Sequence, residues 1–214
     1  MSDSVKEQIE ALHKWWKENG SSIITGLLLG VSILVGGKAW FSYQETQSLN
    51  ASNIYAMMMA ASQAGQPEEV RNQANKLISD YTESAYAPLA SLQLARLAVQ
   101  EGELAAAQAQ LQWAMDHADL IEVRHEARIR MVRVMIAQQQ YEQAVQLLAS
   151  VTDPGAYDYL YAELEGDIAV AEGKPEKAAS AYKKALDKMP SQAPNQAYLM
   201  AKYEDVRGAG AASP

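Results

Sequence analysis

The chain carries three histidines, His13, His117 and His125, and no cysteine. None of the histidines lies in an HExxH arrangement or beside a nucleophile motif, and there is no GxSxG elbow, phosphate loop or dinucleotide fingerprint. Without cysteine there is no disulfide and no thiolate chemistry. The 26 Asp and Glu residues are scattered along stretches of helical pattern, where solvation is their ordinary role. These residue types predict no catalytic centre, no cofactor and no metal site. What remains is recognition chemistry. Arg96 and Arg133 are the candidates, since a guanidinium holds a carboxylate or a backbone carbonyl by directed hydrogen bonds. Four arginines, Arg124, Arg128, Arg130 and Arg133, fall within one stretch, but Glu122 and Glu126 interleave with them. That pattern reads as a solvated, salt-bridged face.

The separation of Arg96 from Arg133 matters because it equals a period of the chain. Gly65-Gln66-Pro67-Glu68, Gly102-Glu103-Leu104, Gln139-Gln140-Tyr141-Glu142 and Gly173-Lys174-Pro175-Glu176 recur at a nearly constant spacing. They separate helical stretches, and no alternating β-branched run is bounded by turn residues. A period of about 34 residues with two helices per unit is the signature of tetratricopeptide repeats. The fold expected is all-α: a tetratricopeptide-like α-solenoid of three to four helix pairs after one N-terminal transmembrane helix, closed by a C-terminal capping helix.

The last unit shows the pattern best, with Gly166, Gly173, Ala178, Tyr182, Ala185 and Pro190 at the repeat's spacing. Gly166 and Ala178 are expected where helices A and B of the unit cross, and Tyr182 and Ala185 against the following helix. Pro190 ends helix B because it breaks the hydrogen-bond ladder, and Pro175 is tolerated in a first turn. Glu165 and Ala169 depart from the usual Leu and Tyr. The unit at Gly102 keeps Ala95, Ala107, Leu111 and Ala114, the unit at Gln139 keeps Ala144, Leu148 and Val151, and the unit at Gly65 keeps least. Residues 195–206 read as the helix that covers the open end of the stack, and 207–214 as a flexible tail.

Taking each break as a phase marker, the first helix of each unit presents three rows toward a concave groove. They are Tyr55, Leu92, Ile129, Glu163, then Met59, Arg96, Arg133, Asp167, then Ser62, Val99, Ile136, Val170. The candidate protein-binding residues are Tyr55, Met59, Leu92, Arg96, Ile129, Arg133 and Ile136. Such a groove is mostly apolar over three units, and its Met makes it adaptable to varied partners. Met57, Met58 and Met59 together read as core.

The uncharged run over residues 19–37, between Glu18 and Lys38, approaches the roughly 20 apolar residues a helix needs to cross about 30 Å of hydrocarbon. A signal peptide would have an apolar core of about 7–15 residues and a basic leader. Here the run is longer and the leader holds Asp3, Glu7, Glu10 and Glu18, which favours an uncleaved anchor. Lys6, Lys14 and Lys17 precede it, while only Lys38 follows before Arg71. The positive-inside rule then keeps residues 1–18 in the cytoplasm, with the span at 19–41 and the repeat domain at 42–206 translocated, into the periplasm in a Gram-negative cell. Trp15, Trp16, Trp40, Phe41 and Tyr43 are placed as interfacial belts. Val5, Ile9, Leu12 and Trp16 form one apolar stripe before the span. Ser22, Gly26 and Gly30 form a small-residue face able to pack on another transmembrane helix. Residues 42–214 carry 14 Lys and Arg against 22 Asp and Glu, a net −8, which repels nucleic acid.

With HKWWKENG before the span, a Gly- and Leu-rich span, degenerate repeats and a terminal QAYLMAKYEDV, the chain resembles the YfgM family of ancillary SecYEG translocon subunits over nearly its full length. The resemblance implies a single-pass bacterial inner-membrane protein with periplasmic repeats. It implies association with the SecYEG channel and with the membrane-anchored periplasmic chaperone PpiD, and a role in linking unfolded exported polypeptides to periplasmic chaperones. The residues alone leave open a structural scaffold that holds one fixed partner in an envelope assembly without binding clients.

Overall fold

The computed structural model describes residues 2–211. They form α1 (Ser2–Gln63), α2 (Pro67–Asp80), α3 (Tyr86–Gln100), α4 (Leu104–His117), α5 (Ile121–Ala137), α6 (Tyr141–Ala149), a 3-10 turn η1 (Gly155–Tyr157), α7 (Asp158–Ala171), α8 (Pro175–Lys188) and α9 (Gln196–Ala211). No strand occurs among the described residues. The all-α repeat architecture expected from the period is present. The chain divides into two compact units, Met1–Asn50 and Ala51–Pro214.

In the first unit α1 is unbroken and runs on into the second. Within Ile24–Gln63 lies the one stretch, among the described residues, long and apolar enough to cross a membrane. Its Leu27, Leu28, Ile33 and Leu34 are all more than half exposed. None of them is covered by the described residues, as suits side chains that meet lipid.

In the second unit the helices alternate as A and B of four pairs, with α1/α2, α3/α4, α5/α6 and α7/α8. Each pair turns at the break that marks the period. Gly65, Gly102, Gln139 and Gly173 all adopt positive φ, at +66°, +80°, +60° and +72°. In each turn the next backbone N–H reaches a carbonyl five residues back: Gln66 to Ala61, Glu103 to Ala98, Gln140 to Met135 and Lys174 to Ala169, at 2.8–3.0 Å. This is the Schellman closure, which satisfies carbonyls that a helix end leaves open. Three breaks use glycine, which reaches positive φ at no steric cost; Gln139 adopts the same conformation with a side chain attached. The first unit, least legible in sequence, closes in the same way as the last.

Burial follows the period as well. Met58, Ala95 and Val132 are buried at the phase of Gly166, as are Val70, Ala107 and Ala144 at the phase of Ala178. One core cluster joins α1, α2 and α3, another joins α3, α4 and α5, a third α5, α6 and α7, and a fourth α7, α8 and α9. Each apolar face is hidden only by its neighbour, as in any stacked-repeat protein.

Some sequence expectations about the last unit hold and others are corrected. Gly166 is close to Tyr182: a Cβ there would overlap the Tyr182 ring, so the glycine admits an aromatic ring of helix B. Tyr182 and Ala185 also reach Leu199 and Val206 of α9, as expected. α9 stays helical to Ala211 rather than ending at residue 206; residues 212–214 lie outside the described residues. Of the three methionines read as core, Met58 is fully buried while Met57 is 55% exposed.

Candidate groove and cleft

The A helices are stitched side by side by contacts one repeat apart. Gln93 Nε2 meets Met59 Sδ at 3.7 Å and Arg96 Nη2 donates to Ser62 Oγ at 2.6 Å. His125 Nδ1 and the Tyr161 hydroxyl are 2.6 Å apart, and Lys202 Nζ of α9 donates to Glu163 Oε1 at 2.7 Å and Asp167 Oδ1 at 2.8 Å. α9 therefore takes the position of a fifth A helix.

These contacts separate the three rows. The row Tyr55, Leu92, Ile129, Glu163 lies within the helix–helix contact: Leu92, Ile129 and Glu163 are 6%, 2% and 3% exposed and Tyr55 is half-buried. Leu92 and Ile129 are thus core side chains, and their assignment to the groove is corrected. Four residues overshoot a 3.6-residue turn by roughly 40°, enough to carry one row out of the contact and leave the other in it. The other two rows reach the surface. Arg96, Val99, Arg133 and Val170 are exposed, and Met59, Ser62, Ile136 and Asp167 are half-buried.

Arg96 and Arg133 meet at one cleft of about 330 Å³ between α3, α4 and α5. Its floor is Ala95, Val99, Leu104, Leu111, Val134 and Ala137, and its rim is Arg96, Arg130, Arg133 and Gln100. Arg130 is held by Glu126 at 2.6 Å and Arg96 by Ser62, while Arg133 makes no hydrogen bond with the described residues. The volume is at the small end for ligand sites and fits one or two apolar side chains. Leu104, Leu111 and Arg130 were not among the sequence candidates. The two leucines belong to helix B and enter the cleft because it opens in the angle between two A helices. Arg130 lies three residues before Arg133, one helical turn away, which was the signal available for it.

At the other end of the row the groove is filled. Lys202 lies between Glu163 and Asp167, and the Tyr182 hydroxyl donates to Asp167 Oδ1 at 2.7 Å. Glu163 Oε2 is buried with no hydrogen-bond partner among the described residues. Burial pulls the Lys202 ammonium down, but its hydrogen bonds to Asp167 and Glu163 outweigh this and raise its pKa. Burial, and then the hydrogen bond it donates to Asp167, pushes the Tyr182 hydroxyl far up. Asp167 and Glu163 are therefore spent on holding α9.

The arginine-rich α5 is not simply a solvated face. His125 on it is buried and stacks on Tyr157 at 4.5 Å; burial and then the nearby Arg128 charge lower its pKa. Arg124 and Arg128 each have a buried Nε without a partner among the described residues. A second cleft, of about 490 Å³, opens between α6, α7 and α8 where Glu165 replaces the usual leucine; Glu165 there pairs with Lys184 at 2.9 Å. In the first unit, a Cβ on Gly26 or Gly30 would meet nothing within 4 Å and Ser22 is exposed. No group of three or more His, Asp and Glu side chains able to hold a metal ion occurs among the described residues.

The model of the tetratricopeptide repeat-like domain family matches residues 13–208. The chain belongs to that family. A solved tetratricopeptide-like neighbour, the MamA RS-1 ArsTM double mutant, superposes with a TM-score of 0.52 at 16% identity, covering 76% of this chain and 97% of that one; this likeness concerns the fold alone. Curated relatives named ancillary SecYEG translocon subunit match along most of this repeat protein. The relative from Escherichia coli (strain K12) is 29% identical over 180 residues, 84% of this chain and 86% of its own. That from Haemophilus influenzae is 28% identical over 187 residues, 86% of this chain and 91% of its own. That from Neisseria gonorrhoeae is 23% identical over 205 residues, 94% of this chain and 97% of its own. The resemblance read from the termini and the layout is thus found across the tetratricopeptide repeat-like domain as well.

Proposed function

We propose that this protein is an anchored ancillary subunit of the SecYEG translocon, whose repeat domain holds segments of emerging polypeptide in the α3–α5 cleft. From there it passes them to periplasmic chaperones, with PpiD as the partner the family resemblance implies. The relatives' shared name supports the translocon, and the excess of lysine before the span supports a cytoplasmic N-terminus and periplasmic repeats. Ser22, Gly26 and Gly30 supply a face for a transmembrane helix of the assembly.

The observation that carries the client-binding reading is the cleft itself. An unfolded segment offers apolar side chains and unpaired carbonyls. The floor takes one such side chain, and Arg133 donates to a nearby carbonyl or carboxylate. A site this small binds weakly, which suits transfer onward. Because Lys202 occupies the acidic end, selection acts at the α3–α5 end alone.

Site-specific photocrosslinking in intact cells tests this, with probes at Val99, Arg133 and Ile136 and a control at the exposed Gln143 of α6. Adducts with many exported proteins from the first three, absent from the control, are expected. One sharp adduct would instead favour a scaffold with a fixed partner, and adducts from Gln143 alone would refute the cleft. Separately, Gly26→Leu with Gly30→Leu is expected to weaken co-purification with membrane partners.

A further inference from the structure

Every A helix after the first has a face covered by the B helix that precedes it. On α3, Ala90, Leu94 and Leu97 share one cluster with Val70, Ala74 and Leu77 of α2. On α5, Ala127, Met131 and Val134 share one with Ala107, Leu111 and Ala114 of α4. On α7, Tyr161 and Ile168 share one with Ala144 and Leu148 of α6. Counted back by the chain's own period, the same face on α1 is Asn53, Met57 and Ala60. All three are exposed. Met57 is 55% exposed, whereas its equivalents Leu94 and Met131 are 7% and 1% exposed; on α7 the equivalent is Glu165, exposed beside the second cleft and paired with Lys184 of α8. Residues 51–64 contain no charged side chain.

We propose that this face of α1 docks one amphipathic α-helix of another protein, laid on α1 as α4 is laid on α5. The occupant follows from the interface that the chain already repeats three times. A covering helix presents small or aliphatic residues at i, i+4 and i+7, as Ala107, Leu111 and Ala114 do. Its contact stripe is uncharged, since α1 offers no partner for a buried charge. A second copy of the chain has only its own α1 face left to give, and pairing two such faces would bury Asn53 against Asn53. The stripes of α2, α4, α6 and α8 are buried within their own stack, and α9 has turned Leu199 and Val206 inward. The site is separate from the α3–α5 cleft, so the protein can hold a fixed partner at α1 while the cleft stays open to clients.

The probe is a capped, fluorescent peptide copying residues 103–118, the chain's own α4, titrated against the full-length protein in detergent micelles and read by anisotropy. Saturable binding is expected. Met57→Glu and Ala60→Glu, at exposed positions where folding tolerates charge, each weaken it at least tenfold, while Gln143→Glu, exposed on α6 outside both clefts, leaves it unchanged. Because the chain lacks cysteine, Met57→Cys provides a unique thiol. It forms a disulfide with a peptide bearing Cys at the position of Leu111, and a Val170→Cys control does not. Absence of saturable binding at millimolar peptide, or binding that survives Met57→Glu, overturns the proposal. So does chain-to-chain crosslinking through Met57→Cys, which would assign the face to a second copy.

Discussion

Gly166→Ala sets two known effects against each other at one atom. In an exposed helix the substitution stabilises by up to about 1 kcal/mol, because alanine loses less backbone entropy on folding. At Gly166 the added Cβ falls on the ring of Tyr182. That ring is 3% exposed and its hydroxyl is tied to Asp167. It has only two torsions with which to move, and Asp167 also holds Lys202. Overpacking of a closed core costs about 1–3 kcal/mol, and stretching a hydrogen bond to a carboxylate adds about 1 kcal/mol. The net expectation is a loss of about 1–3 kcal/mol, seen as a lower urea midpoint for the full chain in detergent and as faster amide exchange in α8 and α9. The partner variant isolates the cause. In a Tyr182→Ala background the obstruction is gone, and Gly166→Ala becomes neutral or stabilising. The coupling between the two sites is then about 1–4 kcal/mol. If the two substitutions add to within about 0.5 kcal/mol, the glycine is not there to admit the ring and the reasoning fails.

Gln139→Gly is expected to stabilise by about 1 kcal/mol, since a non-glycine residue held at positive φ pays that much; a denaturation midpoint no higher than wild type refutes it. Lys202→Met leaves the buried Glu163 and the half-buried Asp167 without their counter-charge. A loss of about 3 kcal/mol is expected, with exchange protection lost first in α9. His125 has a folded pKa below its ordinary 6.5, so the unfolded chain takes up its proton first. Its stabilising contribution is complete above pH 6.5 and is lost as pH falls toward the folded value. His125→Phe should flatten the pH dependence of the urea midpoint in that window and leave it unchanged above, where neither state of the wild type is protonated. An equally steep loss in the variant would place the acid sensitivity elsewhere.

The period decided more than the residue types did. Four breaks at nearly equal spacing placed the turn within every helix pair, because a Schellman turn needs one residue at positive φ and glycine marks three of the four. The uncharged run marked the helix long and apolar enough to cross a membrane for an equally local reason, since hydrocarbon thickness sets a minimum length and excludes charge. The same local reading placed Arg96 and Arg133 on one line, and they share one cleft.

What the sequence could not decide was which apolar residues are hidden. Leu92 and Arg96 lie one turn apart, yet one is in the helix–helix contact and the other in water, because the crossing of neighbouring helices draws that boundary and pattern alone does not. Met57 and Met58 are adjacent and equally apolar, but Met58 is in the core and Met57 is exposed, with no described helix laid over it as α4 is laid over α5. Lys202 meets Glu163 and Asp167 from a full repeat away in the chain, a pairing created only when α9 docks as a fifth A helix. Sequence by itself determined the apolar N-terminal run, the repeat and the turns, all of which rest on neighbours in the chain. The cleft, the filled acidic end and the bare face of α1 depend on how helices distant in sequence lie against one another, and only the tertiary structure decided them.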